Sequence, residues 1–207
     1  MTRQVKRALD VFVSIFLLVL LSPVALACVA VIYIRMGSPI LFKQARPGLD
    51  EQPFDLYKFR TMRELGARER DVSDIERITR VGRLLRRTSL DELPTLWNVL
   101  QGDMSLVGPR PLLPRYLPYF TPEERLRFTV LPGITGLAQI RGRNLASWSD
   151  RLASDVEYVK GWSLRLDFMI LVRTLKQVLR GEGVMDDVNA IMDDFDVERA
   201  KEQDDTR

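Results

Sequence analysis

The longest apolar run of the chain lies near its start. Val11 to Ile34 holds 24 residues without a charged side chain, and a straight helix of that length would reach about 36 Å, enough to cross a hydrocarbon core of about 30 Å. The run exceeds the apolar region of a signal peptide and stays apolar past Cys28, where mature polar sequence would begin. The pattern therefore predicts a membrane helix.

Ser22 and Pro23 interrupt this helix close to its middle. Proline removes a backbone hydrogen bond and bends a helix, and the serine hydroxyl satisfies part of what is freed. Basic residues flank both ends, so the positive-inside bias gives no direction; they are Arg3, Lys6 and Arg7 before the run, and Arg35, Lys43 and Arg46 after it. The pattern alone favours a spanning helix and leaves open a helix that breaks at Ser22-Pro23 and returns to the same face.

A half-buried strand is predicted over Phe54 to Arg60, where apolar and polar positions alternate after turns at 37–39 and 47–50. Phe54, Leu56 and Phe59 would face inward. Lys58 and Arg60 would then share the outward face, either as a cationic pair that meets an anion or as charges that blunt an exposed strand edge.

Helices are predicted on both sides of a proline-rich middle. Ile78, Val81 and Leu84 lie on one helical face within 77–87, which fits a solvated helix, a membrane-surface helix or a phosphate-binding helix. Residues 164–179 predict a core or membrane-surface helix. The five prolines of 105–122 exclude a regular helix there, 123–128 opens a short helix, and 132–136 reads as a turn.

Two adjacent carboxylates, Asp91 and Glu92, follow Arg86 and Arg87 and precede an apolar stripe at helical spacing: Leu93, Leu96, Trp97 and Leu100, closed by Gly102. Asp91 is expected to cap this helix, and a carboxylate held among cations suits a nucleophile or a metal ligand in phosphate chemistry. The competing interpretation is a capping box in which Ser89 caps the helix and Glu92 reaches back.

Composition narrows the chemistry. The 207 residues contain no histidine, which excludes histidine acid–base catalysis, Ser-His triads and histidine-ligated zinc. Cys28 is the single cysteine, so neither an intramolecular disulfide nor a cysteine metal cluster is expected. The net charge is +3, with basic residues concentrated in the first 90 residues and acidic ones from Asp186 onward. The basic part is expected to face an anionic partner, and aromatic interleaving typical of nucleic-acid binders is lacking.

Several ordered motifs over residues 3–180 resemble the bacterial sugar transferase family, and specifically its small monotopic phosphoglycosyl transferases. They are Lys6-Arg7-x-x-Asp10, Ser22-Pro23, Gly37-x-Pro39-Ile40-x-Phe42-x-Gln44-x-Arg46-x-Gly48, Lys58-Phe59-Arg60-Thr61-Met62, Ser89-Leu90-Asp91-Glu92-Leu93-Pro94, Gly102-Asp103-Met104-Ser105-Leu106-Val107-Gly108-Pro109-Arg110-Pro111 and Pro132-Gly133-Ile134-Thr135-Gly136. Arg141 stands where many relatives have Asn, and Thr95 where Gln is usual.

The resemblance implies transfer of a sugar 1-phosphate from a UDP-sugar to undecaprenyl phosphate, with release of UMP, through a covalent phosphosugar on Asp91. It implies that Glu92, with Asp91, holds Mg²⁺. The cations expected to contact phosphate or substrate are Lys58, Arg60, Arg86, Arg87, Arg110 and Arg143. Neutralisation by such cations is what an ionised carboxylate needs to attack a phosphate.

The resemblance also implies a re-entrant membrane helix over residues 1–36, which replaces the spanning helix, with Ser22 and Pro23 at the break and Lys6 and Arg7 at the interface. The expected fold is α+β and mostly α, with amphipathic interfacial helices and a small cytosolic domain at 37–185 that contains a short β-hairpin. Residues 186–207 are expected to be a flexible acidic tail.

The expected location is the cytosolic face of the bacterial inner membrane. The expected partners are a UDP-sugar, undecaprenyl phosphate and the lipid bilayer, with no nucleic acid; a homodimer stays open. The alternative is a non-enzymatic, membrane-anchored basic module that binds acidic lipid or nucleic acid.

Overall fold

The computed structural model describes residues 2–64, 74–141, 147–180 and 194–204. In this part of the chain the protein is mostly helical. The helices are α1 (Thr2–Leu20), α2 (Ser22–Met36), α3 (Asp74–Arg77), α4 (Arg80–Arg87), α5 (Thr95–Gln101), α6 (Leu137–Arg141), α7 (Trp148–Lys160), α8 (Leu164–Arg180) and α9 (Phe195–Asp204); the strands are β1 (Leu41–Pro47), β2 (Pro53–Phe59), β3 (Ser105–Val107) and β4 (Gly133–Thr135).

The N-terminal apolar run forms two helices. They are bent by 61° at the break, where Pro23 lies in the first turn of α2 and the Ser22 hydroxyl donates a 2.8 Å hydrogen bond to the carbonyl of Val19. No single helix in the described ranges has the length and hydropathy of a membrane span, whereas the bent pair meets both criteria together. The predicted break at Ser22-Pro23 is confirmed.

Two small sheets of two strands each are present in the described residues. β1 and β2 pair across a short connection, 48–52, which is the predicted hairpin, because a parallel pair would need a crossover of a dozen residues or more. β3 and β4 pair in parallel, with Ser105 opposite Gly133 and Val107 opposite Thr135. The interpretation of 132–136 as a plain turn was therefore wrong, since its middle residues form β4.

The chain divides into two compact units. The first comprises Met1–Gln44, Asp55–Gly102 and Gln177–Val184, and the second comprises Ala45–Phe54, Asp103–Lys176 and Met185–Arg207. In the first unit, α2, β2 and α4 share a buried core of Cys28, Ile32, Phe59 and Leu85. In the second unit, the core is an aromatic cluster of Tyr116, Phe120, Phe128, Trp148 and Phe195, with Leu152.

The C-terminal segment departs from the flexible tail expected over residues 186–207. Within it, residues 195–204 form α9, and Phe195 is completely buried against the aromatic rings of the second unit. Asp194 accepts hydrogen bonds from Arg115 and from the Tyr116 hydroxyl, the latter at 2.9 Å. The acidic composition predicted a flexible tail because it gave no indication that one apolar residue, Phe195, would be buried in the core. Residues 186–193 and 205–207 lie outside the described ranges.

Candidate active site

The turn that carries Asp91 and Glu92 is tight and irregular. Ser89 adopts a left-handed conformation with φ of 56°, and Leu90–Glu92 form a single 3₁₀ turn in which the Glu92 amide donates to the Ser89 carbonyl at 3.2 Å. α5 begins only after this turn, with Pro94 at its N-cap and no capping side chain. Both predicted caps, Asp91 and the Ser89–Glu92 box, are therefore wrong, and the two carboxylates precede the helix.

Apolar residues on either side of the pair fix the turn to the first unit. Leu90 and Leu93 pack against the core of Cys28, Ile32, Phe59 and Leu85. Asp91 is only 9% exposed. Leu90 and Leu93 are themselves partly buried, so the apolar contacts on both sides of the pair set the positions of the two carboxylates.

Lys58 of β2 makes the direct contact with this turn. Its ammonium nitrogen lies 2.6 Å from Glu92 Oε1, and both side chains are about one-fifth exposed, at 19% and 20%. A charge-assisted hydrogen bond of this length in a partly dry site orients the carboxylate strongly. The structure thus brings together Lys58 and Glu92, two of the residues singled out in the sequence, and Asp91 directly precedes Glu92 in the turn.

β2 and α5 are joined by a polar side chain that the sequence analysis missed. Asn98 is completely buried; its Oδ1 accepts from the Tyr57 amide at 3.0 Å and its Nδ2 donates to the Asp55 carbonyl at 2.7 Å. Thr95 adds a 2.9 Å hydrogen bond from its hydroxyl to the Tyr57 carbonyl. The predicted apolar stripe placed Trp97 inward, whereas Trp97 is 53% exposed; the signal that was overlooked is an asparagine amid apolar helix positions.

Arg60 lies just after β2 and is not on a common face with Lys58. It is 7% exposed, and its guanidinium donates to the carbonyls of Met36, Gly37 and Ser38. The distances to the Gly37 and Ser38 carbonyls are 2.6 and 3.2 Å. The predicted outward pair of cations is therefore wrong for Arg60, because β2 ends at Phe59 and the Arg60 side chain bonds instead to the end of α2.

Arg86 and Arg87 end α4. Arg86 donates from Nε to the Thr61 hydroxyl at 3.0 Å, while Arg87 is exposed. The helix approaches the Thr61 backbone closely at Gly82, where an added Cβ would lie 1.8 Å from the Thr61 carbonyl oxygen. Glycine at this position lets α4 pack against the chain that leaves β2, which sets the place of Arg86.

The basic N-terminus is also tied to this unit. Arg7 of α1 donates to the carbonyls of Val99 and Leu100 at the end of α5, at 3.0 Å for Leu100. A cation near the last carbonyls of a helix is favourable. Lys6 lies 3.9 Å from Asp10, one turn further along α1. Arg7 therefore supports α5, the helix that follows the Asp91 turn.

Arg110 belongs to the second unit and is exposed. Its carbonyl accepts a 2.6 Å hydrogen bond from the buried guanidinium of Arg127, which also lies 3.0 Å from Asp155. Its charge, together with burial as the larger cause, lowers the pKa of Arg46 to about 10 and also lowers that of Arg151. Several guanidinium groups thus repel one another here, and an anion would relieve that repulsion. Arg143 lies outside the described residues.

The donor set at the turn bears on a metal. Among the described residues, there is no group of three or more Asp, Glu or Cys side chains that could together bind a metal ion. Mg²⁺ is usually held by one or two carboxylates while substrate phosphates supply further oxygens. Asp91 and Glu92 are a donor set of that size. The residues present fit a Mg²⁺ that binds together with a phosphate-bearing substrate.

Two positions that depart from the family pattern have partners in the structure. Thr95 is the residue bonded to the Tyr57 carbonyl. Arg141 pairs with Glu157, at 2.6 Å between Nη2 and Oε1, and this exposed pair raises the pKa of Arg141 and lowers that of Glu157. Both residues that differ from the family pattern are thus accommodated by contacts within their own part of the fold.

Comparison with known proteins matches residues 1–181 to the sequence profile of the bacterial sugar transferases. The chain is 51% identical to a protein named uncharacterized sugar transferase EpsL from Bacillus subtilis, over 86% of this chain and 89% of that protein. It is 43% identical to the UDP-glucose:undecaprenyl-phosphate glucose-1-phosphate transferase of Caulobacter vibrioides, over 84% and 69% of the two chains. It is 40% identical to the undecaprenyl-phosphate galactose phosphotransferase of Salmonella typhimurium, over 88% and 42%. The chain therefore belongs to the bacterial sugar transferase family.

Proposed function

We propose that this protein is a phosphoglycosyl transferase that moves a sugar 1-phosphate from a UDP-sugar to undecaprenyl phosphate, giving undecaprenyl-diphosphate-sugar and UMP. The observation that carries the proposal is the Asp91-Glu92 turn, held by a buried core and bonded to Lys58 at 2.6 Å. Several relatives are named as transferases of this kind, with glucose or galactose as the sugar. The proposed reaction is a first membrane step of glycan assembly.

Asp91 is the proposed nucleophile. Its carboxylate oxygen attacks the phosphorus that bears the sugar, the bond from that phosphorus to the UMP oxygen breaks, and UMP leaves with the electron pair. An oxygen of undecaprenyl phosphate then attacks the same phosphorus, and the bond to Asp91 breaks to restore the carboxylate. The two displacements replace one direct reaction between two anionic substrates with two steps at a fixed carboxylate.

The cations singled out in the sequence have separate proposed tasks. Lys58 orients Glu92 and offsets negative charge beside Asp91, while Arg86 and Arg87 attract the diphosphate. Arg110 and Arg143 are proposed to contact the nucleotide or its phosphates. Mg²⁺ would be held by Glu92 and Asp91, where it would neutralise charge on the diphosphate.

The membrane part of the proposal concerns α1 and α2. We propose that the bent pair enters the cytosolic leaflet of the bacterial inner membrane and returns to the same face, with Lys6 and Arg7 at the headgroups. The 61° bend and the apolar, charge-free run support this arrangement. A water-soluble UDP-sugar and a lipid-linked phosphate would then meet at one interface.

The experiment that tests the reaction is UMP release by detergent-purified protein. The assay contains Mg²⁺, undecaprenyl phosphate and one of UDP-glucose, UDP-galactose or UDP-N-acetylgalactosamine, and it is run beside Asp91→Asn. We expect one sugar to support release in the natural protein and none in the variant, which should keep its fold and its membrane association. Full activity of Asp91→Asn would refute the covalent mechanism.

A further inference from the structure

Arg60 is a buried arginine whose hydrogen bonds go to backbone oxygens, while the exposed carboxylate of Glu64 lies 3.8 Å from its Nη1. Arg60 is 7% exposed, and its guanidinium donates to the carbonyls of Met36, Gly37 and Ser38. Burying a guanidinium is costly unless such hydrogen bonds compensate. The three bonds direct the group toward the end of α2.

These carbonyls lie where the apolar helix pair ends. Met36 is the last residue of α2, and the final carbonyls of a helix are unpaired within it and carry partial negative charge. The Arg60 amide also donates to the Ile40 carbonyl at 2.9 Å, just beyond this end. Side chain and backbone of Arg60 therefore fasten the exit of α2 to the end of β2.

Two contacts of β2 link the Arg60 hydrogen bonds at the end of α2 to the turn of Asp91 and Glu92. Lys58, two residues before Arg60, is bonded to Glu92 at 2.6 Å. Phe59 packs with Cys28 and Ile32 of α2 in the core that also receives Leu90 and Leu93. The position of α2 and the position of the Asp91 turn are thus set by the same strand within one unit.

We infer that Arg60 does not contact phosphate, contrary to what the resemblance implied, and is instead a positioning residue that holds Asp91 at a fixed height relative to the lipid surface. The inference rests on the proposed function. A UDP-sugar arrives from water and can adjust its depth, whereas the phosphate of a lipid-linked acceptor is held at the headgroup level. The contact between α2 and β2 therefore matters most in the second displacement, when the acceptor phosphate must reach the phosphosugar on Asp91.

The test separates the two displacements in Arg60→Lys and Arg60→Met. UMP formed in a single turnover without acceptor measures the first step, and turnover with undecaprenyl phosphate in lipid nanodiscs measures both. We expect single-turnover release to stay close to that of the natural protein. Turnover with the lipid acceptor should fall about 100-fold in Arg60→Met, the scale of loss when reacting groups are misplaced by about 1 Å. Arg60→Lys should lose less, because an ammonium retains the charge.

A second measurement replaces undecaprenyl phosphate with a short, water-soluble prenyl phosphate as the acceptor. This acceptor is not fixed at membrane depth, so transfer to it should be nearly equal in the natural protein and in both variants. Lys43→Met is the matched control, because it removes one charge from the same hairpin at an exposed pair with Asp55; its turnover with either acceptor should be unchanged.

Two results would overturn the inference. An equal loss in single-turnover release and in lipid-dependent turnover would indicate that Arg60 acts on the first step or only on folding. Equal losses with the lipid and the soluble acceptor would do the same. Should Arg60→Met fail to fold, Arg60→Lys decides between these results. Absence of UMP release from the natural protein would refute the proposed function itself. This outcome is distinguishable from failure of the inference about Arg60, because it is seen in the natural protein before any variant is measured.

Discussion

At the scale of single residues, the site depends on polar groups whose partners lie far away in the sequence. Asn98 satisfies one amide and one carbonyl of β2, and Lys58 reaches Glu92 across 34 positions. Such groups are inexpensive to bury only while every bond is made. The strand that carries Lys58 is therefore held to α5 by hydrogen bonds as well as by apolar contact.

Asn98→Asp tests this requirement. The carboxylate keeps the acceptor for the Tyr57 amide and loses the donor to the Asp55 carbonyl, so a buried charge would face a carbonyl oxygen. We expect the free energy of unfolding at neutral pH to fall by about 3 kcal/mol or more, measured by urea denaturation of the detergent-solubilised protein. The loss should shrink at acidic pH, because a protonated carboxyl again donates.

The matched control for this substitution is Gln101→Glu at the exposed end of α5. The same amide-to-acid change there should alter stability by less than about 0.5 kcal/mol. A similar loss in both variants would contradict the role given to the buried asparagine.

At the scale of elements, helix packing depends on close backbone approach at a glycine and on the burial of individual aromatic side chains. α4 lies against the Thr61 carbonyl because residue 82 has no side chain. α9 packs through Phe195, whose ring contacts Tyr116, Tyr119, Phe120 and Trp148 at centroid distances of 5.2 to 6.5 Å. Ion pairs of Asp196 with Arg115 and of Arg199 with Glu124 also tie the helix to the second unit.

Gly82→Ala should destabilise the protein by about 1–3 kcal/mol, the usual cost of overpacking, although alanine is intrinsically the better helix former. The added methyl would lie 1.8 Å from a backbone oxygen, so a segment of backbone must move. Thermal unfolding measures the effect. Gly161→Ala, whose nearest added contact is Glu157 O at 3.2 Å, should cost clearly less; equal effects would contradict the packing argument.

Phe195→Ala should lower the free energy of unfolding by about 3–5 kcal/mol, because it removes a fully buried ring from an aromatic core. Val197→Ala on the same helix, where the side chain is 44% exposed, is the control and should have little effect. Denaturant unfolding measures both. If the two variants are equally stable, α9 does not contribute to the core in solution.

At the scale of the whole molecule, one compact unit contains both the apolar helix pair and the turn of Asp91 and Glu92. The proposed reaction needs this combination, because one substrate is soluble and the other is a lipid. A spanning helix would leave the two flanks of the pair on opposite faces of the membrane, whereas a re-entrant pair would keep both flanks on the face of the proposed catalytic turn.

Cysteine labelling distinguishes these topologies. Thr2→Cys and Asp50→Cys, each made in a Cys28→Ala background that removes the single natural cysteine, should react with a membrane-impermeant reagent from the same side of sealed vesicles. Labelling with the membrane dissolved shows that both thiols can react. Reaction of the two sites from opposite sides would establish a spanning helix and refute the re-entrant arrangement.

The sequence determined the parts of this protein that depend on local order along the chain. A charge-free run interrupted by Ser22-Pro23 predicts a bent helix pair, alternation predicts β2, and periodic apolar positions predict α8, because each follows from neighbours a few residues apart. The family motifs likewise single out Asp91, Glu92 and Lys58 as candidate site residues, since the motifs are ordered strings of residues.

Only the tertiary structure decided what depends on contacts between distant residues. Arg60 bonds to the end of α2, and β4 exists because it pairs with β3. In α5 the buried residue is Asn98, whereas the apolar stripe predicted that Trp97 would face inward. Phe195 of α9 lies in the aromatic core of the second unit. Neither composition nor periodicity encodes these partners, because each is selected by the three-dimensional arrangement of several segments. The cap predicted at Asp91 was wrong for the same reason: Leu90 and Leu93 pack against core residues that are distant in the sequence, and these contacts set the turn.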